Sequence, residues 1–117
     1  ESPAAKCYAL KAVTKAGAAK QFATKQILAE RKCLLALRSS PFVVQLEATF
    51  HDRDFAYFLL EYVPGGDLYS ALYERPMEFT APTVRFVLGC LVLALEDMRK
   101  ANVAWRDVKP ENVLFDA

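Results

Sequence analysis

The stretch from Val103 to Asp116 constrains this chain more than any other, because it places an acid, a cation and an amide in a short loop between apolar runs. Asp107, Lys109 and Asn112 follow one another within six residues. An acid can accept a hydroxyl proton, a lysine can contact a transferring phosphate, and an amide oxygen can hold a metal ion. This spacing therefore predicts phosphoryl transfer, with Asn112 as a metal ligand.

The order of these residues, D-x-K-P-E-N, resembles the catalytic loop of eukaryotic protein kinases, and the Lys-Pro-Glu-Asn run resembles the serine/threonine type. The resemblance implies that Asp107 is the catalytic base, Lys109 contacts phosphate and Asn112 binds Mg²⁺. One position departs from the family, whose H-R-D opens here as Trp105-Arg106-Asp107. Tryptophan keeps an aromatic ring there but not the same polar group.

Length and composition limit the alternatives. The 117 residues are too few for a two-lobed kinase, so we expect a central section of a larger domain, whose two ends are cut from the rest of that domain. An apolar fraction of 54% fits a piece of a larger core. The 15 basic and 14 acidic residues are interspersed, which predicts neither a nucleic-acid partner nor a membrane surface.

The longest apolar run, at 86–95, is shorter than the roughly 18 residues of a membrane span. We therefore expect a cytoplasmic protein. The cysteines, Cys7, Cys33 and Cys90, are far apart and lack a C-x-x-C pattern. They are predicted to be buried, reduced thiols rather than zinc ligands or a disulfide.

A strand is predicted from Lys6 to Thr14, with Lys11 on an otherwise apolar face. A buried lysine needs an anionic partner, because an unpaired ammonium in an apolar site is costly. The alternative is an ordinary charge at a strand edge. A helix is predicted from about Phe22 to Leu37, and it places Glu30 beside its apolar stripe. Glu30 could equally belong to a solvated face.

The A-L-K and L-A-E-R-K motifs are similar to the strand lysine and the helix glutamate of protein kinases. The resemblance implies that Lys11 contacts the α- and β-phosphates of ATP. It also implies that Glu30 pairs with Lys11 and so takes part in cofactor binding.

Two strands, at 42–51 and 55–62, are predicted to form a hairpin. A Pro-Gly-Gly breaker then precedes a short helix at 68–73. The run E-Y-V-P-G-G-D resembles the linker between kinase lobes, although a bare chain hinge would have the same composition.

The linker resemblance implies further cofactor-binding residues. Leu60 falls at the gatekeeper position, and the backbone groups of Glu61 and Val63 would face the adenine edge. Asp67 would lie at the ribose and at the entrance for the peptide substrate.

A long helix is predicted after Thr80, which can cap it, with Pro82 tolerated in the first turn. Its apolar run extends through Met98 and predicts burial on most sides. Asn102 is a plausible left-handed cap at its end. A strand is predicted to begin at 113–115.

The lysine strand, glutamate helix, hinge, long helix and catalytic loop follow the order found in protein kinases. We therefore expect an α+β, protein-kinase-like two-lobed fold, with part of the N-lobe at 1–60, the hinge at 61–67 and part of the C-lobe at 68–117. The motifs are most similar to the AGC group, which includes the cyclic-nucleotide-dependent kinases. The resemblance implies phosphoryl transfer from ATP, with Mg²⁺, to serine or threonine hydroxyls of proteins.

Substrate choice is predicted from Asp67 and Glu111, which in the AGC group face the N-terminal side of the peptide. Each could accept a charge-assisted bond from an arginine upstream of the target residue. The alternatives are a helix-start acid for Asp67 and a solvated loop acid for Glu111.

Neither a glycine-rich G-x-G-x-x-G loop nor a D-F-G motif occurs within the 117 residues, so we expect the chain by itself to be an incomplete catalyst. Two alternatives to an active kinase remain. A pseudokinase scaffold is suggested by Trp105 and by the run Met98-Arg99-Lys100, where relatives often carry a histidine. The other alternative is an inactive truncated product. The intact Lys11, Glu30 and catalytic-loop residues favour an active parent enzyme.

Overall fold

The computed structural model describes residues 4–15, 20–75 and 78–116. The chain divides into two compact units. The N-terminal unit comprises Glu1–Ser39 and Val44–Tyr62, and the C-terminal unit comprises Ser40–Val43 and Val63–Ala117. The chain changes unit for the last time between Tyr62 and Val63, inside the segment predicted as a hinge.

An antiparallel sheet and one helix form the N-terminal unit. The strands are β1 (Tyr8–Thr14), β2 (Leu46–His51) and β3 (Phe55–Glu61), and the helix α1 spans Lys20–Ala36. β3 lies in the centre, because the strand order is β1-β3-β2. Residues that alternate in polarity, or that are apolar throughout, favour the three strands. Apolar residues at helical spacing, without a proline, favour α1. The predicted hairpin is confirmed, since β2 pairs antiparallel with β3.

The prediction that β2 begins at Phe42 was wrong, because the strand begins at Leu46. The Phe42 backbone N–H approaches the hydroxyl of Ser40 at 3.3 Å, a local contact that directs the chain into a turn. Residues that hydrogen-bond their own neighbours in this way are not available to a sheet ladder.

Phe58 is the centre of the sheet's packing and is fully buried, at 0% exposure. In the sheet register it lies between Lys11 of β1 and Thr49 of β2. α1 covers this face, since the Arg31 Nε donates to the Thr49 Oγ1 at 3.2 Å. Side chains alternate between faces along a strand, so Leu10 points to the opposite face, where it is 56% exposed.

The turn between β2 and β3 is organised by Asp52. Its Oδ1 accepts from the backbone N–H groups of Asp54 and Phe55, each at 2.8 Å, and its Oδ2 accepts from the Tyr57 hydroxyl at 2.6 Å. The Tyr57 hydrogen bond holds the pKa of Asp52 below its ordinary value. The same bond raises the pKa of Tyr57.

The C-terminal unit contains α2 (Leu68–Tyr73), α3 (Ala81–Lys100) and a 3₁₀ turn at Pro110–Asn112. Thr80 caps α3 by accepting from the Thr83 N–H at 3.4 Å, and a proline lies in the first turn. Asn102 follows the helix with a left-handed φ of 56°. The predicted cap, first turn and helix end are therefore confirmed.

Within the residues that the structure describes, most of α3 is exposed, so the predicted burial on most sides is not seen there. Ala94 is its buried residue, whereas Phe86 and Val92 are 71% and 63% exposed. A helix that is apolar all round needs neighbours on every side to be buried. Among the described residues, α3 is the one long helix of its unit.

Burial of the cysteines was also predicted wrongly. Cys7 is exposed, and Cys33 and Cys90 are partly exposed free thiols. Within the described residues, no helix is long and apolar enough to cross a membrane.

Candidate active site

An ion pair joins β1 to α1. The Lys11 Nζ donates to the Glu30 Oε1 at 2.6 Å, and it lies 5.8 Å from the centre of the Phe58 ring. The predicted partner of Lys11 is therefore present. The expectation of a buried lysine was wrong, because the Lys11 side chain is 50% exposed and that of Glu30 is 39% exposed. Glu30 and the Phe58 ring lie beside the Lys11 ammonium, and half of the Lys11 side chain is exposed.

The residues predicted around the adenine lie at the end of β3 and just after it. Leu60 is partly exposed and pairs with Ala9 in the sheet register. The Glu61 N–H donates to the Gln45 carbonyl at 2.9 Å, and the Glu61 Oε2 accepts from the Gln45 N–H at 3.0 Å. These two bonds fix the strand end. Val63 is partly exposed and is the first residue after the change of unit.

The glycine pair after Pro64 holds the C-terminal end of the predicted catalytic loop. The Gly65 N–H donates to the Phe115 carbonyl at 2.8 Å, and the Phe115 N–H donates to the Gly66 carbonyl at 2.9 Å. Gly66 has a φ of +78°, a conformation that side chains disfavour, and a Cβ there would collide with the Arg75 guanidinium. The predicted strand at 113–115 was wrong, because this segment forms a single β-bridge, between Asp67 and Leu114.

Asp67 is the N-cap of α2. Its Oδ1 accepts from the Ser70 N–H at 2.8 Å, which satisfies a donor that the helix cannot bond internally. The structural alternative that the sequence left open for Asp67, a helix-start acid, is thus present in the fold. A carboxylate at this position is also favoured by the helix dipole.

The predicted catalytic residues converge within one loop. The Lys109 Nζ lies 3.1 Å from the Asp107 Oδ2. The Asn112 Nδ2 donates to the Asp107 carbonyl at 2.9 Å and approaches its Oδ2 at 3.3 Å. The Asn112 N–H closes the 3₁₀ turn on the Lys109 carbonyl at 3.0 Å. Proline at the start of this turn suits it, because proline has no N–H that would be left unbonded there.

The contacts within this loop distinguish the two carboxylate oxygens of Asp107. Its side chain is 69% exposed, and both described side-chain contacts fall on Oδ2. The other oxygen, Oδ1, is therefore the one that can accept a proton from a hydroxyl. Lys109, 48% exposed, supplies a positive charge beside it. In the described residues, no cluster of three or more histidine, cysteine, aspartate or glutamate side chains could hold a metal ion.

The remaining predicted positions also lie on this loop. Glu111 is exposed in the first turn of the 3₁₀ segment, and Trp105 is partly exposed two residues before Asp107. Lys11, Glu30, Leu60 and Glu61 belong to the N-terminal unit, whereas Val63, Asp67 and the catalytic-loop residues belong to the C-terminal unit.

Sequence reasoning missed a polar contact that supports α3. The Ser40 hydroxyl, in a side chain only 6% exposed, donates to the Asp97 Oδ2 at 2.7 Å. The Ser-Ser-Pro run signals the end of α1 but gives no indication of a distant partner. The helix carries two adjacent acids in its last turns, Glu96 and Asp97, but the sequence does not indicate that Asp97 contacts Ser40.

Comparison with known proteins agrees with this architecture. Residues 1–117 match the protein kinase domain family along their whole length. The chain is 38% identical over 110 residues to a cGMP-dependent protein kinase of Toxoplasma gondii, covering 94% of this chain and 11% of that protein. It is 39% identical to the serine/threonine-protein kinase cot-1 of Neurospora crassa, covering 95% of this chain and 18% of that protein.

A third relative is the serine/threonine-protein kinase Sgk1 of Danio rerio, which is 38% identical over 96% of this chain and 26% of its own length. The chain thus spans between 11% and 26% of the length of these relatives. It belongs to the protein kinase domain family, and these relatives are of the AGC type.

Proposed function

We propose that this chain is part of an ATP-dependent protein serine/threonine kinase, in which it supplies the strand lysine, the helix glutamate, the linker and the catalytic loop. The observation that carries the proposal is the convergence of Lys109 and Asn112 on Asp107, at 3.1 Å and 3.3 Å from its Oδ2. A base, a cation and an amide within one loop meet the requirements of phosphoryl transfer, which depends on positioning and charge stabilisation.

In this proposal Asp107 accepts the proton of a substrate serine or threonine hydroxyl through Oδ1. Lys109 is assigned the stabilisation of negative charge on the transferring group. What supports this role is the position of its ammonium, 3.1 Å from the Asp107 Oδ2 and therefore close to the hydroxyl that would react. Asn112 keeps the loop in shape, since its amide N–H group bonds both the backbone and the side chain of Asp107.

The donor set fits a magnesium ion at Asn112. Its Nδ2 is directed at Asp107, so the amide oxygen Oδ1 points away from that contact and is available as a ligand. Mg²⁺ is commonly held by one or two protein oxygens together with phosphate oxygens and water. The bound ion would neutralise charge on the phosphate oxygens.

Nucleotide binding is assigned to Lys11, Glu30, Leu60, Glu61 and Val63, residue by residue. Lys11 contacts the α- and β-phosphates while Glu30 holds its ammonium in place at 2.6 Å. The backbone groups of Glu61 and Val63 face the adenine edge, and Leu60 is the gatekeeper. What supports these assignments is the position of each residue in the family's motif order and, for Lys11, its pairing with Glu30 and its half-exposed side chain.

The test is phosphoryl transfer from Mg-ATP to a serine peptide by the full-length protein carrying Asp107→Asn. Turnover should fall about 10²–10⁴-fold, because a positioned general base typically contributes this much. The matched control is Asp116→Asn, which removes another exposed carboxylate from the same segment and should leave turnover unchanged. Near-normal turnover of Asp107→Asn would refute the catalytic assignment, and a wild-type protein without transfer would favour the pseudokinase alternative.

Substrate preference is proposed from Asp67 and Glu111. Each would accept a charge-assisted bond from an arginine two or three residues upstream of the target serine or threonine. Bonds to charged groups contribute about 1.5–3 kcal/mol, so each contact should change specificity roughly ten- to hundredfold.

The substrate test is a peptide array on the full-length protein. Asp67→Asn is the appropriate variant, because asparagine caps a helix as well as aspartate does and removes only the charge. It should reduce the preference for upstream arginine, as should Glu111→Gln. An array that neither substitution alters would remove both residues from the substrate site.

A further inference from the structure

The outward side of α1 carries a stripe in which lysines and leucines alternate. At intervals of three, four and three residues along the helix stand Lys25, Leu28, Lys32 and Leu35. Residues spaced in this way lie in a line on one side of a helix, here over about 15 Å. All four side chains are exposed, and those of Leu28 and Leu35 are 57% and 36% accessible. We call these four residues the lysine–leucine stripe.

The opposite side of α1 is the one that packs on the sheet. Glu30 bonds Lys11 of β1 at 2.6 Å, and Leu37, just after the helix, is buried at 5% exposure. Ile27 and Leu34 belong to the same side of the helix and are partly buried. The lysine–leucine stripe therefore faces away from the sheet, and packing within the N-terminal unit does not account for its leucines.

The charge of α1 is unbalanced. The basic residues in its sequence are Lys20, Lys25, Arg31 and Lys32. The one acid of the helix, Glu30, lies on the other side and already pairs with Lys11. Lysines on a solvated helix face are commonly stabilised by an acid three or four residues away, but no acid stands at that spacing from Lys25 or Lys32. The stripe is therefore complementary to an anionic partner from outside the helix.

We propose that the lysine–leucine stripe is a docking surface for an acidic amphipathic helix of a partner protein. When two helices pair, side chains spaced three and four residues apart interdigitate along a seam. Leucines of the partner pack against Leu28 and Leu35, and its carboxylates meet Lys25 and Lys32. The seam spans about three turns, so a short helical segment is long enough to cover it.

Charge and composition decide against other occupants. Two copies of the stripe would bring four lysines together with no acid among them, which like-charge repulsion disfavours. Nucleic acid is bound mainly through cationic and polar contacts to phosphate, which leaves the leucines without a role. A helix that lies on a membrane needs a broad apolar face, whereas the stripe offers two leucines. Docking at the stripe does not require phosphoryl transfer and goes beyond the kinase function proposed above.

The experiment measures binding of labelled peptides to the full-length protein by fluorescence anisotropy. The probe is a three-heptad helical peptide whose seam alternates glutamate and leucine, and a matched peptide carries lysine in place of each seam glutamate. Lys25→Glu with Lys32→Glu reverses the charge of the stripe and keeps residues that favour a helix, and Leu28→Gln removes a seam leucine. The control is Lys6→Glu with Arg53→Glu, because both side chains are exposed outside α1 and the net charge changes equally.

The wild type should bind the glutamate peptide and not the lysine peptide, and added salt should weaken this binding, because exposed charge pairs are screened. The doubly charge-reversed α1 should bind the glutamate peptide about tenfold more weakly and should gain binding of the lysine peptide. Leu28→Gln should weaken binding about fivefold, and the control should bind as the wild type does.

Three results would overturn the proposal: no binding of the glutamate peptide by the wild type, an equal loss in the control, or normal binding by Leu28→Gln. Vesicles of phosphatidylserine distinguish a lipid surface from a protein helix. If vesicles bound and the glutamate peptide did not, and if Lys25→Glu with Lys32→Glu abolished the vesicle binding, the stripe would belong to a membrane and not to a partner helix.

Discussion

Replacing Lys11 with methionine tests whether this lysine acts in phosphate binding or in the stability of the fold. The Lys11–Glu30 pair is short, at 2.6 Å, but its side chains are 50% and 39% exposed. Ion pairs this exposed contribute only about 0.2–1 kcal/mol to stability, because water screens them. Methionine retains a flexible apolar chain over the Phe58 ring. The free energy of unfolding should therefore fall by less than about 1 kcal/mol.

The expected loss of activity is much larger. A charge-assisted bond to phosphate contributes about 1.5–3 kcal/mol, so losing one lowers kcat/KM for ATP by roughly ten- to hundredfold. The assay combines steady-state phosphoryl transfer over a range of ATP concentrations with urea unfolding, both on the full-length protein. Lys6→Met is the matched control, because Lys6 also forms an ion pair, with Glu47 at 3.4 Å, and has no assigned role.

Two results would refute this reasoning. If Lys11→Met kept kcat/KM for ATP within twofold of wild type, the lysine would not hold the phosphates. If it lowered the free energy of unfolding by more than about 3 kcal/mol, the pair would be far stronger than an exposed ion pair and its main role would be structural.

Three further predictions concern stability and the catalytic loop. The pKa of Asp52 is lowered in the folded state, so its ionised form stabilises the folded state at neutral pH, and this stabilisation is lost as pH falls below about 4. Tyr57→Phe removes the main cause of the lowered pKa, so the midpoint of urea unfolding should fall less steeply on acidification than in the wild type. Ser40→Ala should lower the free energy of unfolding by about 1–3 kcal/mol in urea titrations, because the Asp97 carboxylate loses a donor at 2.7 Å. Trp105→Tyr should leave kcat within about threefold if the loop needs only a ring there; a rise of tenfold or more would support a degraded loop.

Local pattern was sufficient to predict most elements of this fold. The short helix at 68–73 and the Thr80 cap were predicted to the residue, because caps and breakers act through neighbouring backbone groups. Exposure was predicted less well. The apolar composition of α3 indicated burial on most sides, yet Phe86 is 71% exposed, since burial depends on which elements lie alongside a helix and not on its own sequence.

In the candidate site, too, local features could be predicted from the sequence and exposure could not. The pairing of Lys11 with Glu30 could be predicted because motif order identifies both residues, whereas the half-exposed state of the pair could not. Asp107, Lys109 and Asn112 are close in sequence, so their convergence needs only a tight turn, which the Pro-Glu-Asn segment provides.

Ser40 shows where local reasoning fails. Its neighbours Ser39 and Pro41 mark it as a helix terminator, a role that concerns only the preceding turn. The fold instead uses its hydroxyl 57 residues away, at the Asp97 carboxylate near the end of α3, the helix that leads into the catalytic loop. The Ser40 hydroxyl supplies a donor to the Asp97 carboxylate at this partly buried contact. Nothing within a few residues of either side chain identifies the other, so the contact depends on the path of the whole chain between them.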